Sequence, residues 1–205
     1  MAPGDRSQRA SQAAATRQAL IDAALELFAV RGYDATTTEE ISAAAGVSPR
    51  TFFRHFPTKE SVLLFGRYDF IQAFVGLYLA QADELGELDA VEVSLLALAP
   101  GLARIRDRIR THHRVVASSP YLQGREKAGQ EDNTATVAHA IATRRGLLTP
   151  DASCQMLAAI TLVVLDHATT RWLDTATRAN LGTLFEEEFT VLRGVVCGSA
   201  FPTPR

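Results

Sequence analysis

Cysteine is scarce in this chain of 205 residues, and its two cysteines, Cys154 and Cys197, do not form a C-x-x-C pair. This spacing argues against a disulfide framework or a zinc site, and it fits a protein of the reducing cytoplasm. No run of eighteen apolar residues occurs, so no membrane-spanning segment is predicted. The first fifteen residues lack the apolar centre of a signal peptide. We expect a flexible arm over 1–15 and a tail over 199–205.

Basic charge is not in excess either, because the formal net charge is −2. A non-specific DNA-coating protein would carry a strongly basic surface, so any DNA contact here must depend on where the charges lie. The chain has no phosphate-binding loop and no nucleophile elbow, so an enzyme is not expected and no cofactor is predicted. His112 and His113 would diverge by about 100° on a helix, so no metal site is predicted from them.

Apolar residues recur at helical spacing from end to end, without the alternation of period two that predicts strands. The fold class is therefore predicted as all-α. Gly32 is a natural stop for the first helix. A capping box begins at Thr37, and Ser48 precedes a proline at the first position of a further short helix. Thr58 is expected to cap the next helix.

The remaining helices follow from the same periodicity. An unbroken apolar stripe predicts one long helix over 59–85, which at roughly 1.5 Å per residue would be about 40 Å long. A short helix comes next and is expected to end at Pro100 and Gly101. Later helices are predicted over 102–117, from Ser119-Pro120 to Arg144-Arg145, over 150–173 and over 177–197.

The two short helices between residues 37 and 56, joined by a turn that contains Gly46, match the plan of a helix-turn-helix. Gly46 supplies the positive φ that such a turn needs. Ser42 is expected where the helices approach most closely, since a small side chain fits there. The small core that locks the pair is predicted to consist of Ile41, Ala45, Val47 and Phe52.

The second short helix, from Ser48 to Phe56, is predicted to place its first turn in the major groove of DNA. Arg50 is the candidate base reader because a guanidinium can bond two acceptors of guanine. Phosphate contacts that fix the register without reading sequence are expected as well. The candidate DNA-binding residues are Thr37, Thr38, Ser48, Pro49, Arg50, Thr51, Phe53, Arg54, His55 and Lys59.

The stretch LFAVRGYDATTTEEISAAAGVSPRTFFRHFPTKESVL, within residues 16–64, resembles the DNA-binding domain of the TetR family of bacterial regulators. The resemblance implies about nine helices, of which the first three bind DNA. It also implies that six positions face DNA: Thr38, Arg50, Thr51, Phe53, His55 and Lys59. Phe53 stands where the family most often has tyrosine, which removes a hydroxyl-to-phosphate bond, and Ser42 replaces the usual alanine.

The domain organisation follows from these elements: a helix-turn-helix domain over 16–58 and a larger helical ligand-binding and dimerisation domain over 59–198. The apolar stripes of the last two helices can either close the core or pair with a second copy. The resemblance implies that they pair, which would set two recognition helices about one DNA turn apart. The candidate interface residues are Ile160, Val164, Leu181, Leu184, Phe185, Phe189 and Leu192.

An arginine-rich run over 104–114 is the most unusual feature outside the helix-turn-helix. It is either a solvated face with carboxylate partners such as Asp107 or the mouth of a pocket for an anionic ligand. The half of the chain after Tyr121 is also similar to the acyl-CoA-like ligand-binding subgroup of the same family. The candidate ligand-binding residues are Phe74, Tyr78, Arg104, Arg108, His112, Tyr121 and Trp172.

These features together predict a cytoplasmic, homodimeric transcriptional regulator that binds a palindromic operator and is released by a small hydrophobic or acyl-CoA-like effector. A repressor is the leading hypothesis. An activator or dual regulator would share every residue discussed, and a ligand-binding protein without specific DNA recognition is a more remote alternative. No membrane partner is expected.

Overall fold

The computed structural model describes residues 3–174 and 179–196, and of residues 3–7, 9, 10, 64 and 65 it describes the backbone alone. The described residues form nine helices and no strand, which confirms the all-α prediction. Cys197 and the predicted tail over 199–205 lie outside the described residues. The helices are α1 (Pro3–Arg31), α2 (Thr38–Ala44), α3 (Pro49–His55), α4 (Ser61–Leu79), α5 (Glu87–Arg104), α6 (Arg106–Ala117), α7 (Pro120–Arg144), α8 (Ala152–Leu173) and α9 (Leu181–Val196).

The chain divides into two compact units. Unit 1 consists of Met1–Arg67 and Asp107–Gly129, and unit 2 consists of Tyr68–Arg106 and Gln130–Arg205. Unit 1 therefore contains the helix-turn-helix together with most of α6 and the first part of α7. The functional boundary predicted near residue 58 stays a prediction, because compactness alone does not assign a function.

The core of unit 1 forms because apolar side chains of α1 recur every three or four residues and face the short helices. Leu20, Ala24 and Phe28 are buried together with Ile41, Phe52 and Phe56 of the helix-turn-helix. Three residues from further along the chain complete the same cluster: Val115, Val116 and Leu122. The corner between α6 and α7 is thus part of the hydrophobic core of unit 1.

Unit 2 is built around α5, α8 and α9, which pack against one another. Each of them buries one apolar stripe, as expected for helices at the surface of a shared core. The larger buried side chains of this unit are Ile71, Phe74, Tyr78, Leu95, Ile141, Leu162, Trp172, Leu181, Leu184, Phe185 and Phe189.

Two of the described helices, α4 and α8, are long and apolar enough to cross a membrane by length and composition. Core helices of water-soluble proteins satisfy the same criterion of length and apolar composition. In α8 the residues from Cys154 to Trp172 on one face are buried in the fold, and Arg171 of this helix is ion-paired. These two helices therefore carry no assignment to a membrane.

The prediction of a flexible arm over 1–15 is wrong for its described part, because α1 already begins at Pro3. This segment has no apolar stripe, so hydrophobic periodicity gave no signal. It is rich in alanine, glutamine and arginine, which have the most favourable intrinsic helix propensities. The segment can thus extend a helix that is nucleated by the buried residues after it.

The prediction of one helix over 59–85 is also wrong, since α4 ends at Leu79. Lys59 and Glu60 form a turn before it. After it, the guanidinium of Arg144 donates hydrogen bonds to the carbonyls of Gln81 at 3.0 Å and of Ala82 and Leu85 at 2.7 Å. The Arg144 side chain of α7 therefore bonds the backbone carbonyls that a longer helix would have used for its own hydrogen bonds. The local sequence gives no sign of this contact.

Pro100 and Gly101 do not end a helix, contrary to the prediction. Helix α5 continues through them to Arg104, and Ile105 separates it from α6. Pro100 is exposed, while Val91, Leu95 and Ala99 of the same helix are buried. The burial of that stripe outweighs the hydrogen bond that proline cannot donate.

Candidate nucleic-acid interface

Helix α2 begins at a complete capping box, as the sequence predicted. The Oγ1 of Thr37 accepts a hydrogen bond from the amide of Glu40 at 3.2 Å, and the Glu40 carboxylate accepts one from the amide of Thr37 at 2.9 Å. Arg31 at the end of α1 pairs with the same carboxylate at 2.8 Å. These bonds hold the pKa of Glu40 below its usual value, mainly through the amide of Thr37. The start of α2 is thereby fixed to the end of α1.

The turn between α2 and α3 is a Schellman motif centred on Gly46. The amide of Val47 donates to the carbonyl of Ser42 at 2.9 Å, and the amide of Gly46 donates to that of Ala43 at 3.1 Å. Gly46 has φ +68°, which costs a residue with a Cβ but not glycine. The last carbonyls of α2 are satisfied in this way, and the chain reverses within a few residues.

The predicted core of the helix-turn-helix is confirmed. Ile41 and Phe52 are fully buried, and Ala45 and Val47 pack against the same cluster. Ser42 is also fully buried, and its hydroxyl donates to the carbonyl of Thr38 at 2.6 Å. A small side chain that satisfies its own hydroxyl within α2 lets α3 approach closely.

Helix α3 carries the predicted recognition residues on its open face. Ser48 caps it, because its hydroxyl accepts from the amide of Thr51 at 3.2 Å, and Pro49 occupies the first helical position. Pro49 and Arg50 are exposed. Arg50 makes no hydrogen bond or ion pair with any residue in the described part of the chain, so its guanidinium is available to a ligand outside the protomer.

Three further residues of α3 lie on or near this face. Phe53 is 51% exposed although it is apolar, and Arg54 is exposed as well. Thr51 is half-buried, and its hydroxyl lies 3.0 Å from that of Ser48. An exposed aromatic ring beside two arginines is unusual for a free surface and suits contact with a partner.

His55 and Lys59 have partners or surroundings that limit what they can do. Burial, with the charges of Arg54 and Arg17, lowers the pKa of His55, so its ring is neutral near pH 7. The ammonium of Lys59 donates to the carbonyls of Tyr33 at 2.8 Å and Thr36 at 2.9 Å. The phosphate contacts predicted for the two residues stay predictions, and Lys59 also has a structural role.

Thr37 and Thr38 lie at the beginning of α2. The side chain of Thr37 is engaged in the capping box, and the hydroxyl of Thr38 donates to Glu39 at 3.1 Å. With Glu39 and Glu40 in the same turn, a phosphate would meet two carboxylates there. A contact of Thr37 or Thr38 with DNA stays a prediction.

The ligand-binding candidates fall in both units. In unit 2, Phe74 and Tyr78 are buried and their rings stack at 5.9 Å. The hydroxyl of Tyr78 has no hydrogen-bond partner among the described residues, and burial raises the pKa of Tyr78 to about 12. Trp172 is buried beneath the guanidinium of Arg106, which also donates to the Trp172 carbonyl.

The candidates of unit 1 all have partners within that unit. Arg108 lies 3.4 Å from the carboxylate of Asp22 in α1, and the hydroxyl of Tyr121 donates to Glu60 at 2.9 Å. Burial is the main cause that lowers the pKa of His112 to about 4, and its ring bonds to the backbone of Leu63. In the described part of the chain, no three histidine, cysteine or acidic residues are grouped to hold a metal ion.

The arginine-rich run is divided by the break at Ile105. Arg104 ends α5 and Arg108 lies in α6, so the two do not lie on one helix, and the single helix predicted over 102–117 is wrong in this part. Arg110 pairs with Asp107 at 2.7 Å, the carboxylate partner named for the solvated-face alternative. Arg104 is exposed, and its contact with an anionic ligand stays a prediction.

Most of the predicted dimer residues close the core instead of facing outward. Val164, Leu181, Leu184, Phe185 and Phe189 are all buried within the protomer, so this part of the assignment is wrong. These residues form the largest apolar stripe of α8 and α9. Because the free energy gained by burial grows with apolar area, the protomer buries this stripe in its own core. Ile160 and Leu192 are half-buried and remain candidates.

The apolar side chains that α8 and α9 leave exposed were missed. Met156 and Val163 of α8 are each 66% exposed, and Val191 and Val195 of α9 are 55% and 53% exposed. Met156, Ile160 and Val163 lie four and three residues apart, so they share one face of α8. This second, weaker stripe could have been found from the sequence by separating the two faces of each helix.

Comparisons with known proteins agree with this geometry. Residues 20–64 match the model of bacterial regulatory proteins of the tetR family, and residues 85–196, more than half of the chain, match that of the MftR C-terminal domain. The transcriptional regulator TcmR of Streptomyces glaucescens is 41% identical over 92 residues, which are 45% of this chain and only 39% of TcmR. MftR of Mycobacterium tuberculosis is 30% identical over 153 residues, 74% of this chain and 77% of MftR.

Among solved structures, the repressor FadR of Thermus thermophilus, in complex with lauroyl-CoA, has the same fold with a TM-score of 0.53. It is 24% identical, and the match covers 92% of this chain and 97% of FadR. The relatives are transcriptional regulators and not enzymes, which confirms the prediction that this chain is not an enzyme. The chain belongs to the TetR family of bacterial transcriptional regulators.

Proposed function

We propose that the protein is a cytoplasmic repressor that binds a palindromic operator as a homodimer and is released by a small hydrophobic or acyl-CoA-like effector. Regulators of this family bind DNA and small-molecule effectors and are dimers. The observation that carries the proposal is Arg50, which is exposed on the first turn of a capped recognition helix without a partner among the described residues. A repressor is favoured because the FadR structure is that of a repressor.

Sequence recognition is assigned to the first turn of α3. Arg50 can bond the O6 and N7 of guanine together in the major groove, and Pro49 and Thr51 flank it for apolar or hydroxyl contacts with neighbouring bases. Arg54, one turn further along, is suited to a phosphate, which fixes the register. Because the His55 ring is neutral, a hydrogen bond from it to a phosphate would not be strengthened by a positive charge.

We expect Arg50→Ala to weaken binding to the operator by about 1–3 kcal/mol and to relax the preference at one base position. Fluorescence anisotropy on the gene's own upstream DNA, beside scrambled DNA and at stated salt, measures this. Arg54→Ala is the matched control, because loss of a phosphate contact weakens binding to all sequences alike and lowers the salt dependence. If Arg50→Ala retained full affinity and specificity, α3 would not read the operator through this residue.

The homodimer is assigned to the exposed faces of α8 and α9, which carry Met156, Val163, Val191 and Val195. Beside Val191 lies an open depression of about 450 Å³ whose lining includes Arg171 and Glu187. These two residues pair at 2.7 Å. An exposed apolar stripe beside a depression that carries this ion pair is the composition of an interface with an apolar centre and a charged rim.

The effector is assigned to unit 2, with Phe74, Tyr78 and Trp172 as apolar walls. The buried Tyr78 hydroxyl is the strongest support, because an unsatisfied buried donor is costly unless a ligand or a water accepts from it. The raised pKa keeps the hydroxyl protonated and able to donate, for example to the carbonyl of a thioester. Arg104 is the candidate contact for an anionic part of the same ligand.

We expect Tyr78→Phe to leave the melting temperature unchanged or slightly higher and to raise by about tenfold the concentration of lauroyl-CoA that releases operator DNA. Lauroyl-CoA is the probe because the FadR structure contains it. Tyr68→Phe, which removes a hydroxyl from a half-exposed ring of the same unit, should release at the wild-type concentration. A lower melting temperature with unchanged release would assign the Tyr78 hydroxyl to the fold and not to the effector.

A further inference from the structure

The carboxylate of Glu60 joins three parts of unit 1. Glu60 lies in the turn between the recognition helix and α4, and its side chain is only 12% exposed. It accepts hydrogen bonds from the hydroxyl of Tyr33, in the loop after α1, at 3.2 Å and from that of Tyr121, in the first turn of α7, at 2.9 Å. The Nε of Arg125, also in α7, is 3.9 Å away.

The preceding residue, Lys59, also binds the loop after α1. The Lys59 ammonium lies 4.0 Å from the centre of the Tyr33 ring and donates to two carbonyls, those of Tyr33 and Thr36. The rings of Tyr33 and Tyr121 stack at 5.7 Å with 22° between their planes. The turn that ends the recognition helix is therefore attached both to the loop before α2 and to α7.

Hydrophobic burial does not explain this arrangement. The Tyr121 ring is 51% exposed, so its position depends on the stack with Tyr33 and on the bond to Glu60. A carboxylate with little exposure is stable only where donors replace its water. Burial raises the pKa of Glu60, but hydrogen bonds from its own backbone amide, from the hydroxyls of Tyr121 and Tyr33 and from Thr58 hold it below its usual value. Burial beside Glu60 raises the pKa of Tyr33. Both hydroxyls therefore donate to an ionised acceptor.

We infer that Glu60 is a positioning residue through which α7 sets the orientation of the recognition helix. The inference rests on the proposed binding of operator DNA for its functional consequence, but the positioning itself needs no DNA. Tyr121 would then act in unit 1 as a support of the recognition helix and not as a ligand contact. Because Tyr121 and Arg125 both lie in the part of α7 that belongs to unit 1, a movement of this part of α7 would be transmitted to the end of α3.

The sign of the effect of Glu60→Gln separates positioning from charge. Removing one negative charge from a DNA-binding unit strengthens DNA binding when nothing else changes. Loss of positioning weakens it, and we expect about a tenfold loss of operator affinity for Glu60→Gln, the size of one lost hydrogen bond to a charged group. Glu26→Gln is the matched control, since Glu26 is exposed on α1. It should bind as tightly as the wild type or slightly more tightly.

Tyr121→Phe tests the same bond without changing the charge. Because the ring is 51% exposed, we expect the variant to fold, and misfolding would be detected separately as a loss of helical signal. We expect operator affinity to fall about threefold to tenfold. Combined with Glu60→Gln, it should cost less than the sum of the two single effects, because both remove the same bond.

Hydrogen exchange on the free protein decides the positioning independently of any operator. Amides of α3 and of the turn at 56–60 should exchange several-fold faster in Tyr121→Phe than in the wild type, while Tyr68→Phe leaves them unchanged. Unchanged exchange in Tyr121→Phe, or Glu60→Gln binding as tightly as Glu26→Gln, would overturn the inference. Faster exchange together with a wild type that binds no specific DNA would keep the inference and refute the proposed function.

Discussion

Replacing Val163 by glutamate should convert the proposed dimer to a monomer and lower operator affinity by about 100-fold or more, since two linked DNA-binding units gain roughly 10²–10⁴ in avidity. Val163 is 66% exposed in the protomer, so a carboxylate there costs the isolated chain little. At the centre of an interface the same carboxylate would be buried without a partner, which costs several kcal/mol on each side of the two-fold axis. Sedimentation velocity and operator anisotropy measure the two effects.

Two control variants make this result specific. Val30→Glu introduces the same charge at a position that is 84% exposed on α1, and it should remain a dimer. Leu184→Glu tests the earlier, sequence-based interface: Leu184 is 2% exposed, so this variant should lose helical structure instead of dissociating as a folded monomer. A folded, monomeric Leu184→Glu with a dimeric Val163→Glu would show that the buried stripe forms the interface after all.

The DNA-binding half was predictable because its signals are local. The capping box at Thr37, the cap at Ser48 and the glycine at position 46 each determine the backbone within four residues, and all three were confirmed. The short core around Ile41 and Phe52 follows from the same register. A chain in which turn chemistry, caps and apolar spacing agree leaves few alternative local structures.

The errors fall where tertiary contacts outweigh local signals. The end of α4 depends on Arg144, which lies more than sixty residues later in the sequence, and α5 passes through Pro100 because the opposite face is buried. The dimer residues were misplaced because periodicity identifies the strongest apolar stripe without telling whether it faces the core or a partner. The tyrosine bonds to Glu60 could not be predicted, since nothing in the sequence places Tyr121 beside the turn after α3.

Phe52→Ala should destabilise the protein by about 3–5 kcal/mol, because it removes an aromatic side chain from a core that closes around it. Phe52 is fully buried, and its ring lies 5.4 Å from that of Phe53 and 5.7 Å from that of Phe56. The loss should appear in urea unfolding followed by helical circular dichroism. Trp172 fluorescence, which reports unit 2, is recorded in parallel, since a protein with two units need not unfold in one step.

Phe53 provides the matched control, because it is the same residue type at the next position of the same helix. With its ring 51% exposed, Phe53→Ala should lower the unfolding free energy by about 1 kcal/mol or less. The same change should weaken operator binding, since the ring lies on the face that carries Arg50. The two neighbouring phenylalanines would thus separate stability from DNA recognition. Equal losses of stability for both variants would show that the exposed side of α3 is structural, and the assignment of that face to DNA would fail with it.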